Sequence, residues 1–153
     1  MQLKGEFTVA APRLTVWQAV HDPALLARCV PGCEEAERIG ENSYRAVVKA
    51  KIGPVSARFT LVVDIVQEDA PDRLRIKAQG EEGSRASMLT AESELSLSDD
   101  GDGRTRVAWG SEVNVSGRLG KYGLGLMKKK AESLSAEFVS AFSRRVETGE
   151  VVE

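Results

Sequence analysis

The strongest constraint on this chain is a one-sided helical run near its C-terminus, residues 117–146, GRLGKYGLGLMKKKAESLSAEFVSAFSRRV. Leu119, Tyr122, Leu126, Met127, Ala131, Leu134, Phe138, Ala141, Phe142 and Val146 recur at helical spacing and share one face. Lys128, Lys129, Glu132, Ser135, Glu137, Ser140 and Arg144 fill the opposite face. Such a helix is marginal alone in water and takes most of its stability from docking on something else. Apart from two short helices, everything upstream reads as strand, so the docking surface is a sheet. Gly117, Gly120, Gly123 and Gly125 interrupt the first half, where each costs about 0.5–1 kcal/mol relative to Ala. The expectation is a helix that starts later than its apolar pattern, after an entry that bends or approaches a neighbour closely.

Residues 3–10 alternate as a strand with Leu3, Phe7 and Val9 inward. Pro12 suits a first helical turn, and RLTVWQAVHD sets Val16, Trp17 and Val20 on one side before stopping at Asp22-Pro23. A second short helix, PALLARCV, buries Leu25, Leu26 and Cys29 and ends at Pro31-Gly32. From Cys33 onward the period is two. SYRAVVKAKI, PVSARFTLVVDIVQE, RLRIKAQG, RASMLTAESELSLS and RTRVAWGSEVNVS each alternate apolar with polar, separated by Gly53-Pro54, by residues 69–72 and by DDGDG at 99–103. One-sided alternation between short turns means an antiparallel meander with one wet face. The fold class is α+β: a curved antiparallel sheet, two short helices after its first strand, and a long C-terminal helix packed across it. Residues 1–147 read as one domain, with 148–153 a short acidic tail.

The inward face carries Ala46, Ala50, Ala57, Ala78, Ser87, Ala91, Ser93 and Ser111 beside its bulky residues. Two readings stand. Either the sheet curls and the helix sits close, since natural cores tolerate few voids larger than a water, or a cavity with apolar walls and a few hydroxyls lies between sheet and helix, the usual makeup of a small-molecule site.

Other classes have less to stand on. A net charge of −2 offers no global electrostatic case for nucleic acid. No apolar run reaches about 18 residues and the first residues lack a signal peptide's regions, so the expectation is a cytoplasmic protein. Two cysteines are too few for a disulfide scaffold and one histidine too few for a zinc or triad site. No phosphate loop, nucleophile elbow or metal motif is present.

The order of elements resembles the START-like helix-grip superfamily across nearly the whole chain. GEFTVAAP, VWQAVHDP, CVPGCE, VVKAKIGPVSARF and GRLGKYG together narrow it to a resemblance to CoxG, a family of carbon monoxide dehydrogenase subunits. That resemblance implies a non-catalytic protein without a cofactor, its cavity suited to a quinone or lipid. It also implies a molybdenum hydroxylase as partner enzyme and peripheral contact with the cytoplasmic membrane. Many members carry a C-terminal membrane-associating segment, whereas this chain ends in the acidic GEVVE. Carrying a hydrophobic ligand, or docking to a partner enzyme, is therefore expected before direct anchoring. Two other readings share the fold: a polyketide cyclase-like enzyme, which needs acid-base groups where the strands show Ala and Ser, and a ligand-free interaction module.

Particular residues follow. Trp109 and Tyr122 are expected close together at the glycine-rich end, each offering an apolar body and one polar atom to a quinone head group. Phe59, Leu89, Leu119, Leu126 and Met127 are expected to line the rest of the ligand site, and the four glycines to let its mouth open. Core filling is the ordinary reading for all of these. Cys29 and Cys33, spaced C-x₃-C, suit burial first, then a reversible disulfide, then a metal site short of ligands. His21 suits capping of the first helix. Lys128, Lys129 and Lys130, with Lys121 and Arg118, suit a solvated face or contact with anionic headgroups. Glu92, Glu94 and Glu112 fall on the outer face, away from any desolvated cleft.

Overall fold

The computed structural model describes residues 1–149; the rest of the acidic tail, 150–153, lies outside the described residues. Strand β1 (Gln2–Val9) is followed by helices α1 (Arg13–Ala19) and α2 (Pro23–Cys29). A meander of β2 (Cys33–Gly40), β3 (Ser43–Ile52), β4 (Val55–Asp69), β5 (Arg73–Glu82), β6 (Ser87–Asp99) and β7 (Thr105–Gly117) comes next, and α3 (Leu124–Glu147) closes the chain. The sheet order is β1-β7-β6-β5-β4-β3-β2, antiparallel throughout. The two short helices therefore carry the chain from one sheet edge to the other. Asp22 caps α2: its carboxylate accepts the amides of Ala24 and Leu25 at 3.1 and 3.2 Å.

Strands of 13 to 15 residues cannot stay flat. A register shift between Ile65 and Gln67 bends β4, and two more fall in β2, between Cys33 and Glu35 and between Arg38 and Gly40. On the convex face, cross-strand ion pairs join Arg75 to Glu94 at 3.1 Å and Lys77 to Glu92 at 3.5 Å, so these glutamates do face outward. The concave face wraps α3.

Burial divides into two clusters. The larger gathers Val9, Val16, Trp17, Leu25, Leu97, Val107, Phe142 and Val146, tying α1, α2 and the C-terminal half of α3 to the sheet. Phe142 stacks on Phe138 at 5.5 Å and meets Phe7 edge-on at 6.4 Å. The smaller consists of Ala57, Phe59 and Leu119, flanked by Ile52, Val55, Leu61, Leu89 and Val115.

The long helix begins at Leu124, not Gly117. Gly117 (φ 87, ψ −151) and Gly123 (φ 83, ψ 154) adopt backbone conformations essentially reserved for glycine. Between them Arg118–Tyr122 forms a short 3₁₀ turn that dives into the sheet. The Leu119 amide donates to Ser87 Oγ at 3.1 Å, and Arg118 forks onto the buried Glu82 carboxylate with Nε bonds of 2.9 and 3.0 Å. The apolar spacing of Leu119 and Tyr122 imitates helix, but the glycines on either side forbid it.

A Cβ at Gly117 would collide with the Ala86 carbonyl, whereas one at Gly125 meets nothing within 4 Å. Gly117→Ala is expected to destabilise the protein by about 1–3 kcal/mol, and Gly125→Ala to stabilise it by about 0.5–1 kcal/mol, both read by urea unfolding. Arg118 holds the Glu82 carboxyl below its usual range, against burial, which pushes it up. A carboxylate lowered in this way stabilises the fold above its unfolded-chain pKa and loses that contribution as pH falls through the folded value. The stability difference between wild type and Glu82→Gln should therefore be widest near neutrality and narrow in acid; a gap independent of pH would deny the ion pair its role.

Candidate ligand-binding cavity

Between the two packed clusters lies a cavity of about 530 Å³, within the range of small-molecule sites. Its roof is α3, through Leu134, Phe138, Val139 and Phe142, and one side is α2 with Leu26 and Val30. The floor is the concave sheet: Ala46 and Val48 of β3, Leu61, Val63 and Ile65 of β4, Ile76 of β5, Leu95 of β6. Several of these only partly fill the core. Phe7, Leu26, Ile65, Ile76, Leu95 and Phe138 pack on the larger cluster with one side and border the cavity with the other.

Few polar side chains reach the wall. Ser93 Oγ lies 2.6 Å from Ser111 Oγ across the β6–β7 pair. The Tyr44 hydroxyl accepts from Arg38 Nη2 at 3.4 Å, with the guanidinium 5.6 Å from the ring centroid. Arg45 and Glu94 also border the cavity, but their charged ends are engaged by Glu35 at 2.6 Å and by Arg75 at 3.1 Å. The Cys33 thiol donates to the Glu35 carbonyl at 3.4 Å. Burial is the main cause that pushes its pKa above the ordinary thiol value, helped by the charges of Glu34 and Glu35 and opposed by that hydrogen bond. Among the described residues, no group of three His, Cys, Asp or Glu side chains is placed to hold a metal.

Of the seven residues expected at the ligand site, Trp109 borders this cavity. Phe59, Leu89 and Leu119 pack together in the smaller cluster. Met127 is buried, while Tyr122 is 37% and Leu126 40% exposed. None of the four glycines lines the cavity. The displacement has one physical cause: Leu119, fully buried, plugs the glycine-rich end of the trough, so the unfilled space moves toward the middle and C-terminal half of α3. The residues that sequence reasoning passed over are Leu134, Phe138 and Val139, together with α2. Their helical spacing was legible, but not which turns of α3 would lack a partner.

Cys29 and Cys33 form no disulfide. His21 bonds the Trp17 carbonyl at 2.7 Å through Nδ1, closing the last turn of α1, and its Nε2 pairs with Glu68. Among the described residues, no helix is long and apolar enough to cross a membrane.

Residues 5–147 match the family model for CoxG, described as a subunit of carbon monoxide dehydrogenase. Among curated protein sequences, none matches this chain. A conserved protein from Geobacillus kaustophilus superimposes with a TM-score of 0.88 at 22% identity, over 97% of this chain and 96% of its own. A START superfamily protein from Mycobacterium smegmatis gives 0.75 at 17% identity, covering 96% of this chain and 97% of its own. The ZhuI aromatase/cyclase from Streptomyces sp. R1128 gives 0.71 at 16%, over 96% and 93%. At these identities the likeness establishes the shared fold.

Because burial disfavours the Cys33 thiolate, alkylation of Cys33 by iodoacetamide should be slower at neutral pH than that of an exposed thiol, and its rate should still be climbing above the ordinary thiol range. A rate that levels off within the ordinary range, by peptide mass spectrometry, would contradict the buried setting.

Proposed function

The chain belongs to the CoxG family of carbon monoxide dehydrogenase subunits, and on that footing we propose that it is a non-catalytic carrier for a hydrophobic ligand, a quinone or a lipid. In this reading it serves a molybdenum hydroxylase of the carbon monoxide dehydrogenase type; the family's description names carbon monoxide dehydrogenase and nothing finer. The observation that carries the ligand reading is the unfilled space of about 530 Å³ under α3. That volume falls within the range of about 300–1,000 Å³ typical of small-molecule sites. Each methylene transferred from water into it gains about 0.8 kcal/mol, which offsets the association cost without any catalytic group. A cyclase-type reading gains no specific support: the side chains offered to a ligand are mainly hydrocarbon, with hydroxyls at Tyr44, Ser93 and Ser135 and the Cys33 thiol. Peripheral contact with the cytoplasmic membrane belongs to the same reading, supported by exposed Tyr122 and Leu126 beside exposed Lys121 and Lys129.

Native mass spectrometry of protein from its own host should find one quinone or lipid molecule per chain. In vitro, the uncharged fluorophore N-phenyl-1-naphthylamine should bind, and Ala46→Trp, which fills the cavity from β3, should weaken it at least tenfold while circular dichroism stays native. Undiminished binding by that variant would sink the carrier reading. Co-purification with a molybdenum hydroxylase tests the partner separately.

A further inference from the structure

Building on the carrier reading, we propose that the cavity is half of a bipartite site. Its ligand is a single-chain amphiphile whose polar head, of zwitterionic character, lies in a groove between β1 and α3. That groove measures about 730 Å³. One wall is Gln2 to Glu6 of the edge strand; the other is α3, through Lys128, Glu132, Ala136 and Ser140. Trp109, Ser135 and Val139 border both the groove and the internal cavity, so three side chains divide the two spaces.

The groove is a wedge. β1 and α3 run side by side and are closed at one end, where Phe7 meets Phe142 and the Ala10 amide donates to the Glu147 carboxylate at 2.9 Å. Toward the other end the groove lies between them, from Gln2 and Lys128 onward. Met1 and Val113 exchange main-chain hydrogen bonds of 2.7 and 2.8 Å. By alternation, Leu3, Gly5 and Phe7 direct their amides and carbonyls to β7, while Gln2, Lys4 and Glu6 turn theirs away from it. Among the described residues, no strand lies beyond β1 to receive them. The wedge thus offers open-edge backbone donors and acceptors, the Lys128 ammonium, the Glu132 carboxylate and the Ser140 hydroxyl. Partners of both signs suit a head that carries both charges. The cavity offers such a head almost nothing, and burying it there unpaired is strongly disfavoured.

Trp109 is the hinge of the arrangement. It stands opposite Gly5 in the β1–β7 register, and a Cβ at Gly5 would fall 2.9 Å from the indole Nε1 and 3.0 Å from its neighbouring carbons. The bare glycine lets the ring lie against the strand at the boundary, where the chain of an amphiphile passes between Trp109 and Val139.

The test compares N-phenyl-1-naphthylamine, which has no polar head, with n-dodecylphosphocholine held below micelle formation and followed by calorimetry. Ala136 is exposed and borders only the groove. Ala136→Trp should weaken dodecylphosphocholine at least tenfold and leave the fluorophore within twofold. Gly5→Ala, which pushes the indole from its seat, should change dodecylphosphocholine dissociation several-fold in stopped flow. Equal loss of both probes with Ala136→Trp, or loss of neither, overturns the bipartite site; an unchanged dissociation rate overturns the divider. Wild-type binding of the fluorophore without dodecylphosphocholine overturns the amphiphile and spares the carrier reading, whereas binding of neither overturns both.

Discussion

The apolar stripe of α3 has to be covered, and the concave sheet covers it at two places. Toward its C-terminus, Phe138, Phe142 and Val146 pack with Phe7, α1 and α2. Before its N-terminus, Leu119 is driven into the sheet while Arg118 is held on Glu82 and the following backbone on Ser87. These two anchor points set the height of the helix above the floor. Between them the side chains are too small or too far apart to meet, and the void follows from the distance between anchors more than from any single residue.

This division separates the residues that hold the helix from those that border the void. Leu119 and Val146, which hold the helix at its two ends, are buried away from the void, while the sheet residues facing it, Ile65, Ile76 and Leu95, are packed on one side only. Replacing the latter changes shape and volume in the cavity before it touches either anchor. A chain built this way can change the lining of its cavity while keeping its fold, and the structural relatives share that fold over nearly their whole length at 22% identity or less.

Much of the fold was legible because its signals are local. Period-two alternation from Tyr44 to Val115, broken by Gly53-Pro54 and by the acidic loop at 99–103, marks the strands whatever surrounds them. The start of α3 was legible only in part. Leu119 and Tyr122 sit at helical spacing, and the glycines around them were the contrary signal, since their positive φ angles end any helix. The site was the least legible. Alternation shows which side chains face inward but not how far along α3 the sheet stands off. That depends on where Leu119 lands, a contact between distant parts of the chain. Hence Trp109 borders the cavity while Phe59, Leu89 and Leu119 fill the core beside it.

The bulged strand β2 has its own consequence. It forms the edge of the sheet opposite β1, its ladder shifts twice, and Glu34, Glu35 and Glu37 stand along it, exposed, within eight residues. A kinked margin set with charged side chains, Glu34 paired with Arg58 and Glu35 with Arg45, is a poor template for another chain's strand. At this edge, a molecule that keeps an oily hollow at its centre thereby denies aggregating neighbours a straight border on which to grow.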